Sequence, residues 1–494
     1  MSHLPVLIVV IPLAAALVAP LAALRAAFLA RGVVVTALSA TAVSSVLALM
    51  RVLAQGPWHY RLGGWAPPWG IEYVVDALSG GMATLITVVA LLVACYAGPV
   101  VEEWPRGREG VFSSLYLLLV TGLLGITVTG DMFNLYVFFE ISSLAAYALM
   151  ASGGIRATVA TFRYLIIGTI AATFYLLGTG YLYAFSGTLN MADLTSRLSG
   201  MVGTPVYVVA VTFIVVGLAI KTALFPLHGW LPDAYTYAPA PVTGLISAVM
   251  AKVSAYALFR VLFFVLRTEG AAGQTLTVLA WASAIAVVAG SMMALAQQDV
   301  RRMLAFSSVG QMGYITLGLA LGSRVALIGA LLHVLNHAVM KGCLFLIAGG
   351  VRWHTGISRI EAFHGMGRRL PWTMAAFTVA ALSMIGVPPT AGFFSKWYLL
   401  TGALEAHTWY FAAALMLSSL LSAVYFFRVL EVAYLRPVPE SGNDAPDGEP
   451  ARRELPTRML APILILATAV LLLGVLNRTV VTRVIRYALP PHVL

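Results

Sequence analysis

Fourteen stretches of roughly twenty largely apolar residues run almost end to end through this 494-residue sequence. They lie near 4–24, 32–53, 74–98, 111–129, 132–152, 160–185, 205–225, 241–266, 273–295, 303–321, 325–350, 372–400, 408–432 and 457–477. A helix needs about 20 such residues to cross a bilayer. The pattern therefore predicts an all-α integral membrane protein of about fourteen transmembrane helices. Composition agrees: 60% of residues are hydrophobic and 10% charged, against about 25% charged in water-soluble domains. The formal charge of +11 does not mark a nucleic-acid binder, because arginine is scattered through short loops between the apolar runs. Cys95 and Cys343 both sit inside apolar runs, which leaves no disulfide framework and no cysteine cluster for zinc, haem or iron–sulfur ligation. No cofactor is expected.

Loop charge reads as topology instead. No Lys or Arg precedes the first run, while Arg25 and Arg31 follow it, which argues for a retained first helix that starts outside rather than a signal peptide. The odd-numbered connections then face the cytoplasm, and they carry most of the loop arginines, from Arg106 and Arg108 through Arg301, Arg302, Arg368 and Arg369 to Arg452, Arg453 and Arg458. The even ones carry Arg61, Arg197, Arg267 and Arg324. This bias supports a prokaryotic cytoplasmic (inner) membrane with both termini on the outer side, although Arg478, Arg483 and Arg486 near the C-terminus run against it.

Two segments interrupt the helical pattern, LFPLHGWLPDAYTYAPAP at 224–241 and IGVPPTAGFFSKW at 385–397. Proline inside a helix removes one backbone hydrogen bond, so Pro226 frees the carbonyl of Thr222, and Pro388 and Pro389 free those of Met384 and Ile385. The breaks fall five runs apart, which suggests two inverted five-helix repeats. The organisation expected is an N-terminal three-helix segment (1–110), repeats at 111–266 and 273–432, a Pro/Gly-rich cytoplasmic linker at 433–458, and a C-terminal helix and tail at 459–494.

Four lysines stand against twenty-six arginines, and Lys221, Lys252, Lys341 and Lys396 all lie in apolar helices rather than loops. Lysine in a loop does the same topological work as arginine, so this confinement calls for a chemical reason. A buried lysine can take up and release a proton near neutral pH, whereas arginine stays protonated. An intramembrane charge costs at least ~2.5 kcal/mol on insertion scales and usually marks a pathway. The competing readings are an ion pair that holds helices together and, for Lys396 late in its run, an ammonium that snorkels to the interface.

Most of the nineteen carboxylates are in loops, but Glu140 sits eight residues, roughly 12 Å, into its helix. Beside a lysine it is ionised, and a change in their separation moves protons. Lys221, just before the first break, is the first choice of partner. Asp131 begins the same helix and reads either as its outer end or as part of an access path. The eleventh run places His333, His337 and Lys341 at i, i+4 and i+8, which turns only about 40° per step and lines one helix face, with Asn336 nearby. This stripe reads as a relay, against helix-to-helix hydrogen bonding. The same spacing suits a metal, but no HExxH pattern or supporting carboxylate accompanies it, so none is expected. His228, in the first break, is a further access-path candidate or a loop histidine.

These residues carry a resemblance. GDMFNLYVFFE (130–140), KTALFPLHGWLPDAYTYAPAPVTGLISAVMAKVSAY (221–256), MALAQQDVRRMLAFSSVGQMGY (293–314), LLHVLNHAVMKGCLFL (331–346) and GVPPTAGFFSKW (386–397) resemble the antiporter-like membrane subunits shared by respiratory complex I, membrane-bound hydrogenases and multisubunit Na+/H+ antiporters, and look most like the D-type subunit of the last, the Mrp antiporters. The resemblance spans nearly the whole chain. It implies that Glu140 and Lys221 match the family's glutamate–lysine pair, Lys252 its central lysine, His333, His337 and Lys341 the polar stripe of the second half-channel, and Lys396 the terminal lysine. Ser254 stands where glycine is common and Arg301 where lysine is common.

Three functions follow for comparison. One is a subunit of an antiporter that exchanges Na+ or K+ for protons. Another is the same proton channel within a redox-driven complex of the hydrogenase or NADH:quinone oxidoreductase type. The last is a structural membrane anchor, which has no use for four costly buried lysines. Both transport readings make the chain a non-enzymatic subunit whose partners are other membrane subunits, protons and Na+ or K+, and the lipid bilayer, with no nucleic acid.

Overall fold

The computed structural model describes residues 3–105, 107–266, 272–436 and 454–490. Among them, thirteen helices are long and apolar enough to cross a membrane. In chain order the helices are α1 Leu4–Arg25, α2 Ala27–Gln55, α3 Ala77–Glu102, α4 Arg108–Val128, α5 Met132–Ala151, α6 Ile155–Ser186, α7 Pro205–Thr222, α8 Ala240–Val265, α9 Gly273–Leu295, α10 Val300–Leu321, α11 Arg324–Thr355, α12 Pro371–Ile385, α13 Ala391–Glu405, α14 Trp409–Tyr434 and α15 Thr457–Val475. The half-helices α12 and α13 together make the fourteenth crossing, divided at Gly386–Thr390. Each expected run is thus a helix within a few residues of its expected ends.

Local chemistry sets many of those ends. Asp76 and Ser79 form a reciprocal capping box at α3, and the side chains of Asp131, Thr204, Asp299 and Ser323 accept backbone N–H groups at the starts of α5, α7, α10 and α11. Alternation of the crossings is visible in the contacts outside the bundle. His3 meets the Tyr60 hydroxyl at 2.9 Å on the face of the even connections. On the odd face Glu102 pairs with Arg31 and with Arg458, and Trp353 donates to Glu103. The helices α4 to α8 and α9 to α14 form two sets of five crossings with a break at the same place in each, and an odd offset makes one set run opposite to the other. They meet where α8 packs on α11. In its most apolar stretch α8 is 94% buried and α10 and α11 are 89% buried, against 28% for α1, so these three helices form the axis of the protein.

Three features differ from the sequence reading. The connection after α2 forms a hairpin, β1 Trp58–Arg61 antiparallel to β2 Glu72–Val75, with Trp58 opposite Val75 and Arg61 opposite Glu72; strands of four residues are too short for a search based on apolar runs. Arginine is not confined to loops either. Arg163, Arg260 and Arg428 lie within α6, α8 and α14, and the last donates to the carbonyls of Leu295 and Gln297 at the end of α9. The linker expected at 433–458 overlaps α14 at its start, its stretch 437–453 lies outside the described residues, and at its far end Glu454 accepts from the Trp372 N–H at 2.9 Å and from the Thr373 hydroxyl at 2.5 Å. A carboxylate there complements the N-terminus of α12.

Arg260 makes a buried two-point tie, holding Asp76 through two bonds of 2.5 and 2.8 Å with both side chains mostly buried. Breaking a buried pair from one side costs about 3–5 kcal/mol, because the other charge is left unpaired. Asp76→Asn, which keeps the helix cap, should therefore lower thermal stability in detergent by that order, and Asp76→Asn combined with Arg260→Met should recover most of it. Equal melting of wild type and Asp76→Asn would show the tie to be dispensable.

Candidate functional site

Lys252, Lys341, Lys396 and the two membrane histidines lie around the α8–α10–α11 axis, while Lys221 sits at the end of α7 against α5. Among the described residues, no lysine is within ion-pair distance of a carboxylate. Each ammonium is held instead by carbonyl and hydroxyl oxygens. Lys221, at the end of α7, donates to Ser143 Oγ at 2.6 Å. Lys252 reaches back to the Ser247 carbonyl in a π-helical stretch, Ile246–Met250, within α8. Lys341 donates to the Leu304 carbonyl at 2.7 Å and to Ser307 Oγ on α10. Lys396 donates to the carbonyls of Met384 and Ile385 at 2.7 and 3.1 Å and to Ser419 Oγ at 2.8 Å. Those two carbonyls are the ones Pro388 and Pro389 were expected to free. The snorkelling alternative for Lys396 is thereby overturned, since its ammonium turns into the break and lies 4.9 Å from the Tyr314 ring centre.

The first break is built differently. The helix α7 ends at Thr222, before proline can act, with Ala223 in the left-handed region at φ 56°. The indole of Trp230 returns to the carbonyl of Ile220, not that of Thr222, at 2.9 Å. Glu140 and Lys221 do not touch. Ser143, one turn beyond Glu140 on α5, stands against the ammonium instead, while the carboxylate still acts on Lys221 electrostatically. Oε1 of Glu140 is buried without a protein partner among the described residues.

On α11 the stripe of His333, His337 and Lys341 is fully buried. His333 Nε2 lies 2.8 Å from Gln311 Oε1, and its Nδ1 meets Ser395 Oγ on α13 at 2.9 Å. The His337 ring lies nearly parallel to it, with centres 5.8 Å apart. Neither ring nitrogen of His337 has a protein partner among the described residues.

The two outlying candidates are less engaged. Asp131 caps α5 through the Asn134 N–H at 2.7 Å. His228 stacks on Phe225 in the break, and its Nδ1 has no protein partner among the described residues. Sequence reasoning missed Ser143, Ser307, Gln311, Ser395 and Ser419, because a serine or glutamine in a helix carries no signal until the facing helix is known. The stripe itself was readable, since i, i+4 and i+8 is a property of one helix.

Comparison with known proteins places this arrangement. The sequence pattern of the family described as NADH:quinone oxidoreductase/Mrp antiporter, TM, matches residues 129–422. The chain is 55% identical over 495 aligned positions to the N subunit of the NADH-quinone oxidoreductase of Desulforudis audaxviator, covering 99% of each chain. It is 31% identical to the D-type subunit of the Na(+)/H(+) antiporter of Alkalihalophilus pseudofirmus, over 79% of this chain and 78% of the relative. Its fold superposes with a TM-score of 0.90, at 31% identity, on a chain of the membrane-bound sulfane sulfur reductase, an archaeal respiratory membrane complex, covering 98% of this chain and 97% of that one.

Space at the first lysine depends on one residue. A Cβ on Gly168 of α6 would collide with the Tyr147 hydroxyl and lie 3.6 Å from Lys221 Nζ. Overpacking of this kind costs about 1–3 kcal/mol. Gly168→Ala should therefore lower thermal stability by that amount, and Tyr147→Phe in the same chain should restore part of it by removing the colliding oxygen. A Gly168→Ala protein as stable as wild type would show that the pocket relaxes freely.

Proposed function

Because the chain belongs to the NADH:quinone oxidoreductase/Mrp antiporter transmembrane family, and is an antiporter-like, proton-translocating membrane subunit by that membership, we propose that its own path for protons runs through Glu140, Lys221, Lys252, Lys341, His337, His333 and Lys396. The observation that carries this reading is the absence, among the described residues, of any carboxylate within ion-pair distance of the four lysines. A structural ammonium in lipid would be paired; one held only by carbonyls and hydroxyls can lose its proton and keep its place.

The roles follow from position. Glu140 sets the field at Lys221 without binding it, so a small shift of α5 against α7 changes which of the two holds the proton. Lys252 passes the proton between the two sets of helices. His337 receives it through water, and His333, anchored by Gln311 and Ser395, hands it to Lys396 at the second break. Lys341 shares the Lys252 end of the stripe. His228 fits an access path from the first break, while Asp131 serves as a helix cap. On this reading residues 111–266 and 273–432 are two half-channels. The odd face is cytoplasmic, and the membrane is the prokaryotic inner membrane with the N-terminus outside.

Two hosts remain in view. The relative aligned over 99% of both chains favours a redox-driven quinone oxidoreductase type of complex. The antiporter relative, together with the GDMFNLYVFFE stretch at 130–140, favours a multisubunit Na+(K+)/H+ antiporter. In either, other membrane subunits complete the machine. Inverted vesicles holding the whole complex decide between them: proton uptake driven by an electron donor and quinone marks the first, and collapse of an imposed ΔpH by added Na+ or K+ without a donor marks the second.

In the same vesicles Lys252→Arg and Lys341→Arg should reduce proton movement nearly as much as the alanine changes, by ~10²-fold, because arginine keeps the charge but not the exchange. Glu140→Gln and Lys221→Ala should abolish transport with assembly intact. Normal transport by both arginine variants would make these lysines structural.

A further inference from the structure

We propose that the chain binds one anionic phospholipid on the odd face, against the N-terminal half of α6, with its phosphate among Arg156, Arg163 and Arg302. These residues line a cavity of about 360 Å³ together with Ile155, Val159, Asp233 and Tyr237. Arg163 and Arg302 share a single carboxylate, Asp233, at 3.2 Å each. Arg156 has no ion pair among the described residues. Three guanidiniums against one carboxylate leave two positive charges, and the Tyr237 hydroxyl, which accepts from Arg302 at 3.4 Å, keeps its own proton to donate. Guanidinium pairs suit phosphate geometry.

The depth and the surroundings select a lipid over a free anion. Arg156 and Arg163 lie near the start of α6 and Arg302 in the first turn of α10, at the level where a bundle meets headgroups. On α6 the residues Ile155, Val159, Phe162, Ile166 and Ile170 follow at i, i+4, i+7, i+11 and i+15, a single outward stripe whose members are 45–80% exposed. A second cavity of about 390 Å³ continues along it, lined by Leu165, Ile166, Thr169, Ile170, Thr173 and Phe174. From Arg163 to Phe174 the helix rises roughly 16 Å, close to the ~15 Å depth of one leaflet. A cationic cradle followed along α6 by an apolar groove, together about one leaflet deep, is the shape of a phospholipid with a charged head and one acyl chain laid on α6. A neighbouring membrane helix would bury the stripe but bring no charge to the arginines unless it carried an acidic group at that level.

The test uses the assembled complex, purified in mild detergent, stripped of lipid and titrated with phosphatidylglycerol or phosphatidylcholine while bound lipid is counted by native mass spectrometry. The expected result is one phosphatidylglycerol retained per chain in preference to phosphatidylcholine, with Arg156→Gln plus Arg163→Gln weakening retention roughly 30-fold, the contribution of two arginines near a membrane surface. Ile166→Trp, which fills the groove and leaves every charge in place, should also expel the lipid; it keeps the test valid if the arginine variant assembles poorly. Equal retention of the two lipids, unchanged binding by the Ile166→Trp complex, displacement by millimolar inorganic phosphate, or a partner helix seated on the stripe in the intact complex would each overturn the proposal.

Discussion

An ammonium inside a lipid-spanning bundle must be solvated by the protein itself, and the whole arrangement around the axis answers that demand. Carbonyls inside regular helices are mostly taken by their own N–H groups. The lysines therefore sit where helices are irregular or where a hydroxyl faces them. The division between α12 and α13 supplies Met384 and Ile385 to Lys396, the π-helical stretch of α8 supplies Ser247 to Lys252, and serines on α5 and α10 meet Lys221 and Lys341. A carboxylate would solvate each ammonium better and would also hold its proton. Leaving it out gives up stability for exchange. The contrast with Arg260 and Asp76 shows that the same fold builds a full ion pair where permanence is wanted.

What was legible in the sequence was whatever one helix decides alone. Apolar length gave the crossings to within a few residues, the prolines located the second break and named the carbonyls that Lys396 uses, and the spacing of His333, His337 and Lys341 put them on one face. What two helices decide together was hidden. Nothing in the order of residues says that Ser143 rather than Glu140 stands against Lys221, or that Gln311 and Ser395 clamp His333 from two sides. The first break was read from Pro226, yet Ala223 ends the helix earlier by turning left-handed. Arg163, Arg260 and Arg428 fall inside the apolar runs, where nothing in the sequence says which group each one meets.

Relatives assigned to a quinone oxidoreductase, an antiporter and a sulfur reductase share this fold. In this chain the polar groups around the axis of α8, α10 and α11 are buried inside the bundle. The outward surfaces, α1 and the stripe of α6 among them, carry exposed apolar residues instead.

The π-helical stretch before Lys252 has a consequence for how such a chain can vary. A π turn is an α-helix with one residue too many, and it rotates everything beyond it by about 100° relative to a regular helix. Lys252, Tyr256 and Arg260 all lie beyond Ile246–Met250 and so owe their common orientation to that surplus residue. No exchange of side chains can undo this; only a deletion can. The helix is thus free to drift in composition while its length between Pro239 and Lys252 is held to a whole number of residues, and a variant one residue shorter would present a different row of side chains to the centre of the membrane.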